Sequence, residues 1–366
     1  MLPRAGTGGA GLLRPEYGAV VDLDARLTVL GSLNMDISVT VPVLPGPGAT
    51  VLGGAAAIAP GGKGANQAVA AARLGAGSGI RVRMVGCVGD DDFGRTLKAT
   101  LTREGIDDEA VRTVAGAPTG IAMITVDESG ENMITVAPGA NHEVGPPEIA
   151  ALREPAAAGP ARVLVISAEV PVSVILAALE AASAESPGAS GGVSDSSEAG
   201  DPGGARPLTV LNLAPAPAGA DTGPILEARP DWLVVNESEA AAVLGRPVGG
   251  LTEAARAAAD LVAAGARNAV VTAGAAGAAY QCADQGLSRT VAAFSVRAVD
   301  TVGAGDTFVG ALAVALAGGI APGEAVTAAA AAGAAAAARP GTQAGMPRPA
   351  DIRAATGFEW PVGLVK

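Results

Sequence analysis

The segment at residues 300–308 (DTVGAGDTF) combines small residues with an acid at a predicted helix start, so it could bind an anion and accept a proton. Gly303, Ala304 and Gly305 allow successive backbone N–H groups to point into one concavity, where the helix macrodipole favours negative charge. Asp306 lies in the same first turn. A cup of N–H groups beside a carboxylate suits phosphoryl transfer to a hydroxyl, because that chemistry depends on positioning and charge stabilisation. The alternative is an Asp306 that only stabilises the helix, by about 0.3–1 kcal/mol.

A second glycine-rich segment, residues 61–67 (GGKGANQ), opens another predicted helix. Its glycines let the backbone approach a ligand closely, and the helix N-terminus offers free N–H groups. Lys63 and Asn66 add a cation and an amide to the first turn. The segment is not a Walker A loop, because no Ser or Thr follows the lysine. The alternative is a glycine-rich helix entry with a solvated lysine.

Polar residues also follow several predicted strands, at the edge of an open α/β sheet where ligands bind. Asn34 and Asp36 come after the first strand and could bind the hydroxyls of a polyol, with turn formation as the alternative. The acids of residues 236–240 (NESEA) suit a water-mediated Mg²⁺ site, with helix capping as the alternative. A loop at residues 272–277 (TAGAAG) could contact a nucleotide.

Composition excludes several classes of protein. The 366 residues carry a formal net charge of −12, which argues against nonspecific nucleic-acid binding. With His142 as its one histidine, the chain cannot build a His-rich zinc site, and a Ser-His-Asp triad would depend on that residue alone. Cys87 and Cys282 lie far apart, which favours reduced thiols and a cytoplasmic protein over a disulfide framework. The N-terminal segment lacks a secretory h-region, and the apolar stretch at 307–338 is too interrupted for a membrane span.

The rest of the sequence alternates short β-branched runs with longer Ala/Leu-rich segments. We predict strands at 27–31, 82–88, 162–167, 208–213, 232–235 and 268–272. We predict helices at 63–74, 92–104, 171–184, 237–244 and 252–264. This alternation indicates βαβ units and a largely parallel sheet that is covered on both faces. Gly75 and Gly105 fall just past two of the helices, where a residue with positive φ is expected.

Two regions break this alternation. Four short strands of a separate small sheet are predicted at 37–43, 49–52, 119–126 and 131–136, the last two joined as a hairpin, and we interpret this sheet as a lid. Residues 183–207, rich in Gly, Ser and Pro, are predicted to form a disordered insert, and residues 1–26 a poorly ordered leader. The predicted organisation is therefore one domain at 27–366, with lid strands at about 36–54 and 116–138.

Six ordered segments of the sequence resemble those of the ribokinase-like (phosphofructokinase B-type) carbohydrate kinases. They are GSLNMD at 31–36, GGKGANQAVAAARLGA at 61–76, VGDDDFG at 88–94, LNLAPAPA at 211–218, NESEA at 236–240 and DTVGAGDTFVGAL at 300–312. The resemblance runs from about residue 27 to the C-terminus and leaves the 183–207 insert outside. It implies a three-layer α/β/α sandwich with a mostly parallel central sheet and a small β-sheet lid.

The resemblance also implies ATP-dependent phosphorylation of D-ribose at its O5 hydroxyl, giving ribose 5-phosphate and ADP. Asp306 resembles the general base of the family, and Gly303, Ala304 and Gly305 resemble its anion hole. The residues that resemble sugar-binding positions are Asn34, Asp36, Gly62, Lys63, Gly64, Ala65, Asn66, Glu169 and Asp306. Those that resemble the ATP and Mg²⁺ neighbourhood are Asn212, Glu239, Thr272, Ala273, Gly274, Ala275, Ala276, Gly277 and Gly305.

The family further binds an activating monovalent cation, usually K⁺, next to the anion hole. The residues that resemble this site are Asp300, Val302, Ala336, Arg339, Gly341 and Gly345, which would contribute mainly backbone carbonyls. Gly345 stands where the family often has a serine, so one hydroxyl ligand is missing. The resemblance also implies a homodimer in which the lid sheets of two subunits pair.

Three other functions stay open at this point. A kinase of deoxyribose, a nucleoside or fructose would share the fold, and if Asp36 binds vicinal hydroxyls, 2-deoxyribose should be a much poorer substrate than ribose. A catalytically silent sugar-binding relative would have no need of Asp306, Lys63 and Glu239. A nicotinamide-dependent oxidoreductase would need G-x-G-x-x-G after the first strand, and residues 31–34 do not provide it.

Overall fold

The computed structural model describes residues 25–153, 161–183, 206–217, 219–284, 286 and 288–362. The predicted leader at 1–26 and the predicted insert at 183–207 therefore lie mostly outside the described residues. Ala25 and Arg26 are an exception, because both are buried and already belong to the first strand. The first strand thus begins before the boundary predicted at residue 27.

The chain alternates strands and helices along most of its length. The strands are β1 (Ala25–Leu30), β2 (Asn34–Val41), β3 (Ala57–Gly61), β4 (Ile80–Gly89), β5 (Asp107–Val114), β6 (Gly120–Asp127), β7 (Asn132–Ala137), β8 (Ala161–Ser167), β9 (Leu208–Asn212), β10 (Trp232–Asn236), β11 (Asn268–Thr272), β12 (Gly277–Cys282) and β13 (Arg289–Ala292). The helices are α1 (Lys63–Leu74), α2 (Asp92–Arg103), α3 (Pro146–Arg153), α4 (Val172–Ser183), α5 (Gly219–Glu227), α6 (Glu237–Leu244), α7 (Gly250–Ala263), α8 (Ala304–Ala317), α9 (Pro322–Ala337), α10 (Thr342–Gly345) and α11 (Pro349–Thr356).

The larger sheet has the strand order β13-β12-β11-β10-β9-β8-β1-β4-β5. Its pairings are parallel apart from β11–β12 and β12–β13, which are antiparallel. Central strands such as β1 are buried along their length, as expected for parallel strands that are covered on both faces. The strands and helices predicted from the alternating pattern are all present, with ends within two residues of the predicted ones.

Helices cover both faces of this sheet. Residues of α1, α2, α8, α9 and α11 join one apolar core, and residues of α4, α5, α6 and α7 join the other. Small residues allow α1 and α8 to pack closely, since a Cβ added at Gly310 on α8 would lie 2.7 Å from the backbone oxygen of Gln67 on α1. The predicted three-layer α/β/α sandwich with a mostly parallel sheet is confirmed.

A separate small sheet has the strand order β3-β2-β6-β7, with β2–β6 parallel and the other two pairings antiparallel. The predicted hairpin is present as β6 and β7. The strand predicted at 49–52 is wrong, because those residues are irregular and largely exposed, and β2 pairs with Ala57–Gly61 instead. The sequence of β3, AIAPG, conceals the strand because Ala, Pro and Gly all disfavour strand structure.

Two local features differ from the sequence analysis. Asp107–Val114 (DDEAVRTV) was not predicted as a strand, and it forms an edge of the larger sheet, where charged residues are tolerated. Gly105 has the predicted positive φ of 74°, but Gly75 has a φ of −86° and its N–H still bonds the carbonyl of Ala71. The left-handed residues of that turn are Gly77 and Gly79, with φ of 78° and 80°.

Both cysteines are free and buried. Burial raises the pKa of Cys87 to about 12 and that of Cys282 to about 11, so neither thiol is ionised at neutral pH. Across the described ranges of the chain, no helix has the combined length and apolarity needed to cross a membrane.

Candidate active site

The first turns of α1 and α8 meet at the carboxyl ends of the parallel strands. Gly303 precedes α8 with a φ of 79°, and Gly62 precedes α1 with a φ of 88°, both in the left-handed region that favours glycine. A Cβ added at Gly62 would lie 2.5 Å from the backbone nitrogen of Asn34, so this glycine also lets α1 approach the β1–β2 turn. The two glycine-rich segments singled out in the sequence therefore lie at the same edge of the sheet.

A larger cavity of about 250 Å³ lies between this edge and the small sheet. Polar side chains line one side of it, and the apolar side chains of β6 and β7 line the other. The lining residues are Asn34, Asp36, Gly62, Lys63, Asn66, Ala122, Ile124, Asn132, Ile134, Val136, Glu169, Thr301, Val302, Gly303 and Asp306. Convergent polar groups in a concave site of this size suit a small polar ligand.

A smaller cavity of about 120 Å³ lies at the ends of β9, β10 and β11. Its lining residues are Lys63, Asn212, Ala214, Val234, Val235, Asn236, Glu239, Thr272, Gly303, Gly305, Asp306 and Val309. Lys63, Gly303 and Asp306 line both cavities. A cation, a helix start and a carboxylate thus lie at the junction where ligands in the two cavities would meet.

The charge of Lys63 is favoured by its surroundings. Burial alone would lower the pKa of Lys63, but nearby carboxylates outweigh it and the pKa is raised. In order of decreasing effect they belong to Asp306, Glu169, Glu239 and Asp36. The lysine is therefore a firmly charged ammonium group at the junction, suited to contact a negatively charged ligand group.

Asp36 has the opposite electrostatic situation. Its pKa is raised to about 7, mainly by burial and then by the negative charges of Glu169 and Asp306, with Lys63 opposing them. Close to neutral pH, this carboxyl is therefore divided between its protonated and ionised forms. A ligand that donates hydrogen bonds to it would favour the ionised form.

Both oxygens of the Asp306 carboxylate accept hydrogen bonds from side-chain amides. Asn66 Nδ2 donates to Oδ2 at 2.9 Å, and Gln67 Nε2 donates to Oδ1 at 3.2 Å. Asp306 is 8% exposed and still lines both cavities. Asn66 is a predicted site residue, whereas Gln67 has no predicted role. The signal was its spacing, since positions 63, 66 and 67 share one helix face.

Other polar residues hold the larger cavity in shape. Glu169 Oε2 accepts from the Ser32 hydroxyl at 2.5 Å and from the backbone N–H of Lys63 at 3.3 Å. Asn141, which sequence reasoning missed, donates to Asn34 Oδ1 at 2.8 Å and accepts from the backbone N–H of Leu33 at 2.9 Å. Because its oxygen is occupied, Asn34 can present its amide N–H groups to a ligand.

Several residues assigned to the site from the sequence do not line these cavities. Gly64 and Ala65 are buried against the β1–β2 turn, where the Ala65 N–H bonds the carbonyl of Ser32. The N–H of Ala304 donates to the carbonyl of Thr301 at 3.2 Å, whereas Gly303 and Gly305 line the smaller cavity. Thr272 also lines that cavity, but the rest of its loop does not, namely Ala273, Gly274, Ala275, Ala276 and Gly277. The roles predicted for these residues stay predictions.

Glu239 combines the two alternatives given for its segment. Asn236 caps α6, since its side chain accepts from the Glu239 N–H and its own N–H donates to Glu239 Oε2. Glu239 also lines the smaller cavity, and burial raises the pKa of its carboxyl. A single carboxylate there fits a Mg²⁺ ion that keeps most of its water shell. Glu237 instead accepts from the N–H of Gly250.

The residues predicted to hold a monovalent cation come from three segments near Asp300. They are the loop with Asp300 and Val302, the end of α9 with Ala336 and Arg339, and the turn and α10 with Gly341 and Gly345. The carboxylate of Asp300 accepts from the N–H groups of Val302 at 3.0 Å and Gly341 at 2.9 Å. A Cβ added at Gly345 would lie 3.2 Å from the carbonyl oxygen of Arg339. The carbonyls of Ala336 and Gly341 already accept from Arg339 N and Gly345 N. Carbonyl oxygens beside a carboxylate fit a hard monovalent cation. The short distance at Gly345 shows that the Arg339 carbonyl lies close to this residue, so a side chain larger than hydrogen would crowd it.

Comparisons with known proteins agree on one family. A model described as the pfkB family of carbohydrate kinases matches residues 24–349. The ribokinase of Haemophilus influenzae is 37% identical over 290 residues, which is 79% of this chain and 85% of that protein. The deoxyribokinase of Salmonella typhi is 33% identical over 287 residues, 78% of this chain and 84% of that protein. The structure of Arabidopsis thaliana ribokinase complexed with ribose and ATP matches at 26% identity with a TM-score of 0.73, over 92% of this chain and 99% of that one.

The family match covers most of the chain, and the similar proteins are matched over most of their own length. The matched range contains both cavities and the junction at Asp306. The chain therefore belongs to the pfkB family of carbohydrate kinases and is a sugar kinase.

Proposed function

We propose that this protein transfers the γ-phosphoryl group of ATP to the O5 hydroxyl of D-ribose, giving ribose 5-phosphate and ADP. The observation that carries this proposal is the position of Asp306, which lines both cavities. With the sugar in the larger cavity and the phosphates of ATP in the smaller one, this carboxylate lies where the substrates meet. Two relatives named ribokinase, one of them complexed with ribose and ATP, support this pair of substrates.

The larger cavity has the groups that a pentose requires. The carboxylates of Asp36 and Glu169 accept hydrogen bonds from sugar hydroxyls, and Asn34 donates to a sugar oxygen. Ile134 and Val136 of the small sheet lie over the same space. When this lid lies over the sugar it excludes water, and exclusion of water suppresses transfer of the phosphoryl group to water.

The transfer step follows from the groups at the junction. Asp306 accepts the proton of the O5 hydroxyl, and O5 forms a bond to the γ-phosphorus. The bond from that phosphorus to the β–γ bridging oxygen breaks, and ADP leaves with the electron pair. The N–H groups of Gly303 and Gly305 stabilise the charge of the migrating phosphoryl group, and the ammonium of Lys63 adds to this effect.

Two metal ions have a place in this scheme. Glu239 would hold Mg²⁺ through water, and that ion supplies charge neutralisation of the ATP phosphates. The loops around Asp300, Arg339 and Gly345 would hold K⁺ mainly through backbone carbonyls, and that ion supplies positive charge next to the helix start. Since Gly345 has no side chain, a water molecule would complete the shell.

We also propose that the protein forms a homodimer through the outer face of the small sheet. Ala122 and Ile124 of β6 face the cavity, so the intervening Met123 faces outward. Ile58 and Met133 lie on the same outer face as Met123. Ile58 is 60% exposed, Met123 51% and Met133 49%. An apolar face of this kind is typical of an interface. Sedimentation should show a dimer at micromolar concentration and a shift to monomer for Met123→Lys, whereas a monomeric wild type would contradict the proposal.

A second candidate substrate is 2-deoxyribose, because a deoxyribokinase is 33% identical to this chain. The carboxylate of Asp36 can accept from two neighbouring hydroxyls, and 2-deoxyribose lacks one of the candidates. An enzyme that leaves a buried acceptor without its partner typically has a much lower kcat/KM for the substrate that lacks the hydroxyl. We therefore expect ribose to have a higher kcat/KM than 2-deoxyribose.

The test is a coupled assay of ADP release with ribose, 2-deoxyribose, fructose and adenosine, each with and without K⁺. The expected result is the highest kcat/KM for ribose, with phosphate found on O5 by NMR of the product. A higher kcat/KM for 2-deoxyribose would support the second candidate. Absence of ADP release with all four compounds, from a folded protein with Mg²⁺ and ATP present, would contradict the kinase assignment at this site.

A further inference from the structure

Gln67 is a fully buried polar residue in the second turn of α1, with 0% exposure. Its Nε2 donates to two acceptors at once, Asp306 Oδ1 at 3.2 Å and Asn212 Oδ1 at 2.9 Å. Asp306 lies at the junction of the cavities, and Asn212 lines the smaller one. A single side-chain amide thus connects the carboxylate to the strand end beside the nucleotide cavity.

The orientation of this amide is determined by the backbone. Asn212 Nδ2 donates to the carbonyl of Val234 at 3.2 Å, so the oxygen of Asn212 is turned toward Gln67. Both neighbours of Gln67 Nε2 are therefore oxygen acceptors, and an amide turned the other way would place its own oxygen against them. The chain of contacts runs from Val234 through Asn212 and Gln67 to Asp306.

The other end of the Gln67 amide argues against a purely structural role. Its Oε1 is buried and has no hydrogen-bond partner among the described residues. A buried acceptor without a partner lowers stability, and an apolar side chain of similar size would avoid that loss. What the glutamine offers at this position is its pair of N–H donors, both of which are used.

The second oxygen of the carboxylate is held in a parallel way. Asn66 Nδ2 donates to Asp306 Oδ2, and Gln343 Nε2 donates to Asn66 Oδ1 at 3.0 Å, which fixes the Asn66 amide. Each oxygen of the carboxylate therefore has one amide donor, and the two donors set its plane. Asn66 lines the larger cavity, whereas Gln67 is not among the residues that line either one.

We propose that Gln67 is a positioning residue for the transfer step: it fixes the orientation of the Asp306 carboxylate and aligns it with the nucleotide cavity through Asn212. The inference rests on the proposed role of Asp306 as the base. Without Gln67 the carboxylate can rotate about its side-chain bonds, so it meets the sugar hydroxyl in a smaller fraction of encounters. The effect should appear in kcat, because Gln67 itself touches neither cavity.

The experiment is a double-mutant cycle of Gln67→Met and Asp306→Asn, measured by ADP release with ribose and ATP. Methionine keeps the length of the side chain and removes both donors. In the wild-type background we expect kcat to fall by about 10- to 100-fold, with the KM for ribose changed by less than about 3-fold. In the Asp306→Asn background we expect a further change of less than about 2-fold, because no base is left to orient.

Gln281→Met is the matched control. Gln281 is another buried glutamine, on β12 beside the amino end of β11 and therefore at the opposite end of the sheet from the site. Its substitution should leave kcat within about 2-fold of wild type. Thermal unfolding of each variant shows whether it is folded. Where Gln67→Met does not fold, Gln67→Leu serves instead, since it also removes both donors, adds no charge beside Asp306, and should lower kcat by a similar factor.

The outcomes separate this inference from the proposed function. If Asp306→Asn abolishes turnover and Gln67→Met retains the wild-type kcat, Gln67 does not position the base. If Gln67→Met lowers kcat by the same factor in both backgrounds, its role is structural and the inference is wrong. If Asp306→Asn has near-normal turnover, the proposed function itself fails, whatever Gln67 does.

Discussion

The two cavities share Lys63, Gly303 and Asp306 but are built from different parts of the fold. The larger cavity has polar groups from the main sheet on one side and the apolar strands of the small sheet on the other. The smaller cavity is formed by the ends of β9, β10 and β11 and the start of α8, without any residue of the small sheet. One side of the junction can therefore be covered by a lid, while the other is formed by strand ends and a helix start.

The cavities also differ in charge. Burial and the neighbouring carboxylates Glu169 and Asp306 raise the pKa of Asp36 to about 7 in the larger cavity. In the smaller cavity burial raises the pKa of Glu239, and the hydrogen bond from the Asn236 N–H and then the charge of Lys63 offset part of this effect. This difference predicts that pH near neutrality affects the sugar side more than the nucleotide side. Substitutions at the junction should affect both sides, and substitutions in one cavity should affect one substrate.

The largest effect is expected at the junction itself. Asp306→Asn keeps the size of the side chain and removes the base, so kcat should fall by about 10²–10⁴-fold. The KM values for ribose and ATP should each stay within about 3-fold, because the contacts in the two cavities are kept. Steady-state ADP release measures both. Turnover near the wild-type rate would show that Asp306 is not the base, and the two cavities would then not share a catalytic carboxylate.

The next largest effect is expected for Gly305→Ala, a substitution that changes the smaller cavity alone. A Cβ added at Gly305 has no other atom within 4 Å, and Gly305 lines this cavity in the first turn of α8. Gly305→Ala should therefore fold normally, with about 0.4–1 kcal/mol of added stability, yet its methyl group should crowd the phosphates. We expect kcat/KM for ATP to fall by about 10²-fold, with thermal unfolding measured in parallel.

Gly223→Ala is the control for this change. Gly223 lies in α5, and a Cβ added there also meets open space. Because Gly223 precedes Pro224, its added methyl group brings no expected gain in stability, and the variant should keep the wild-type kcat/KM for ATP. A Gly305→Ala enzyme with unchanged kcat/KM for ATP would show that the phosphates do not approach this helix start.

The smallest effect is expected in the larger cavity and depends on pH. Asp36→Asn should raise the KM for ribose by about 10-fold and leave the KM for ATP unchanged. In the wild type this KM should increase as the pH falls from about 8 to about 6, because the Asp36 carboxylate becomes protonated and can accept fewer hydrogen bonds. The asparagine variant should lose this dependence. A wild-type KM for ribose that is constant over this range would contradict the predicted titration of Asp36 in the larger cavity.

The Asp36 carboxyl also makes the stability of the folded protein depend on pH. The pKa of Asp36 is higher in the folded protein, about 7, than its ordinary value of 3.8, so the folded form binds more protons between these values. Its contribution to stability is therefore fully present below about pH 4 and is lost as the pH rises through about 7. Thermal unfolding of the ligand-free protein should show this loss in the wild type and not in Asp36→Asn.

The main sheet could be predicted from the sequence because its strands and helices carry distinct periodicities. Strands such as β8 and β11 are short β-branched runs, and their parallel partners are buried on both faces. The small sheet was harder to predict, since it is exposed on one side and its packing depends on a contact between distant segments. Ala57–Gly61 has no strand propensity of its own and is held by its pairing with β2.

The predictable site residues are those that lie beside glycines at helix starts or at the ends of strands. Lys63, Asn66 and Asp306 have such positions, and the structure brings them together. Gln67 and Asn141 were missed because their contacts are made with segments more than 100 residues away. No local pattern identifies a partner at that distance, and the local signal for Gln67 was limited to the helix face it shares with Lys63 and Asn66.

The close approach of α8 to α1 at Gly310 has a practical consequence for anyone who wishes to make this enzyme more heat-resistant. Glycine-to-alanine exchange is a common route to that goal, but at this site the extra methyl group would push apart the two helices that carry the base and its amide donors. Such an exchange should raise neither the melting temperature nor the yield of product. Helix glycines outside the site are better starting points where the added Cβ meets open space, φ is negative and no proline follows.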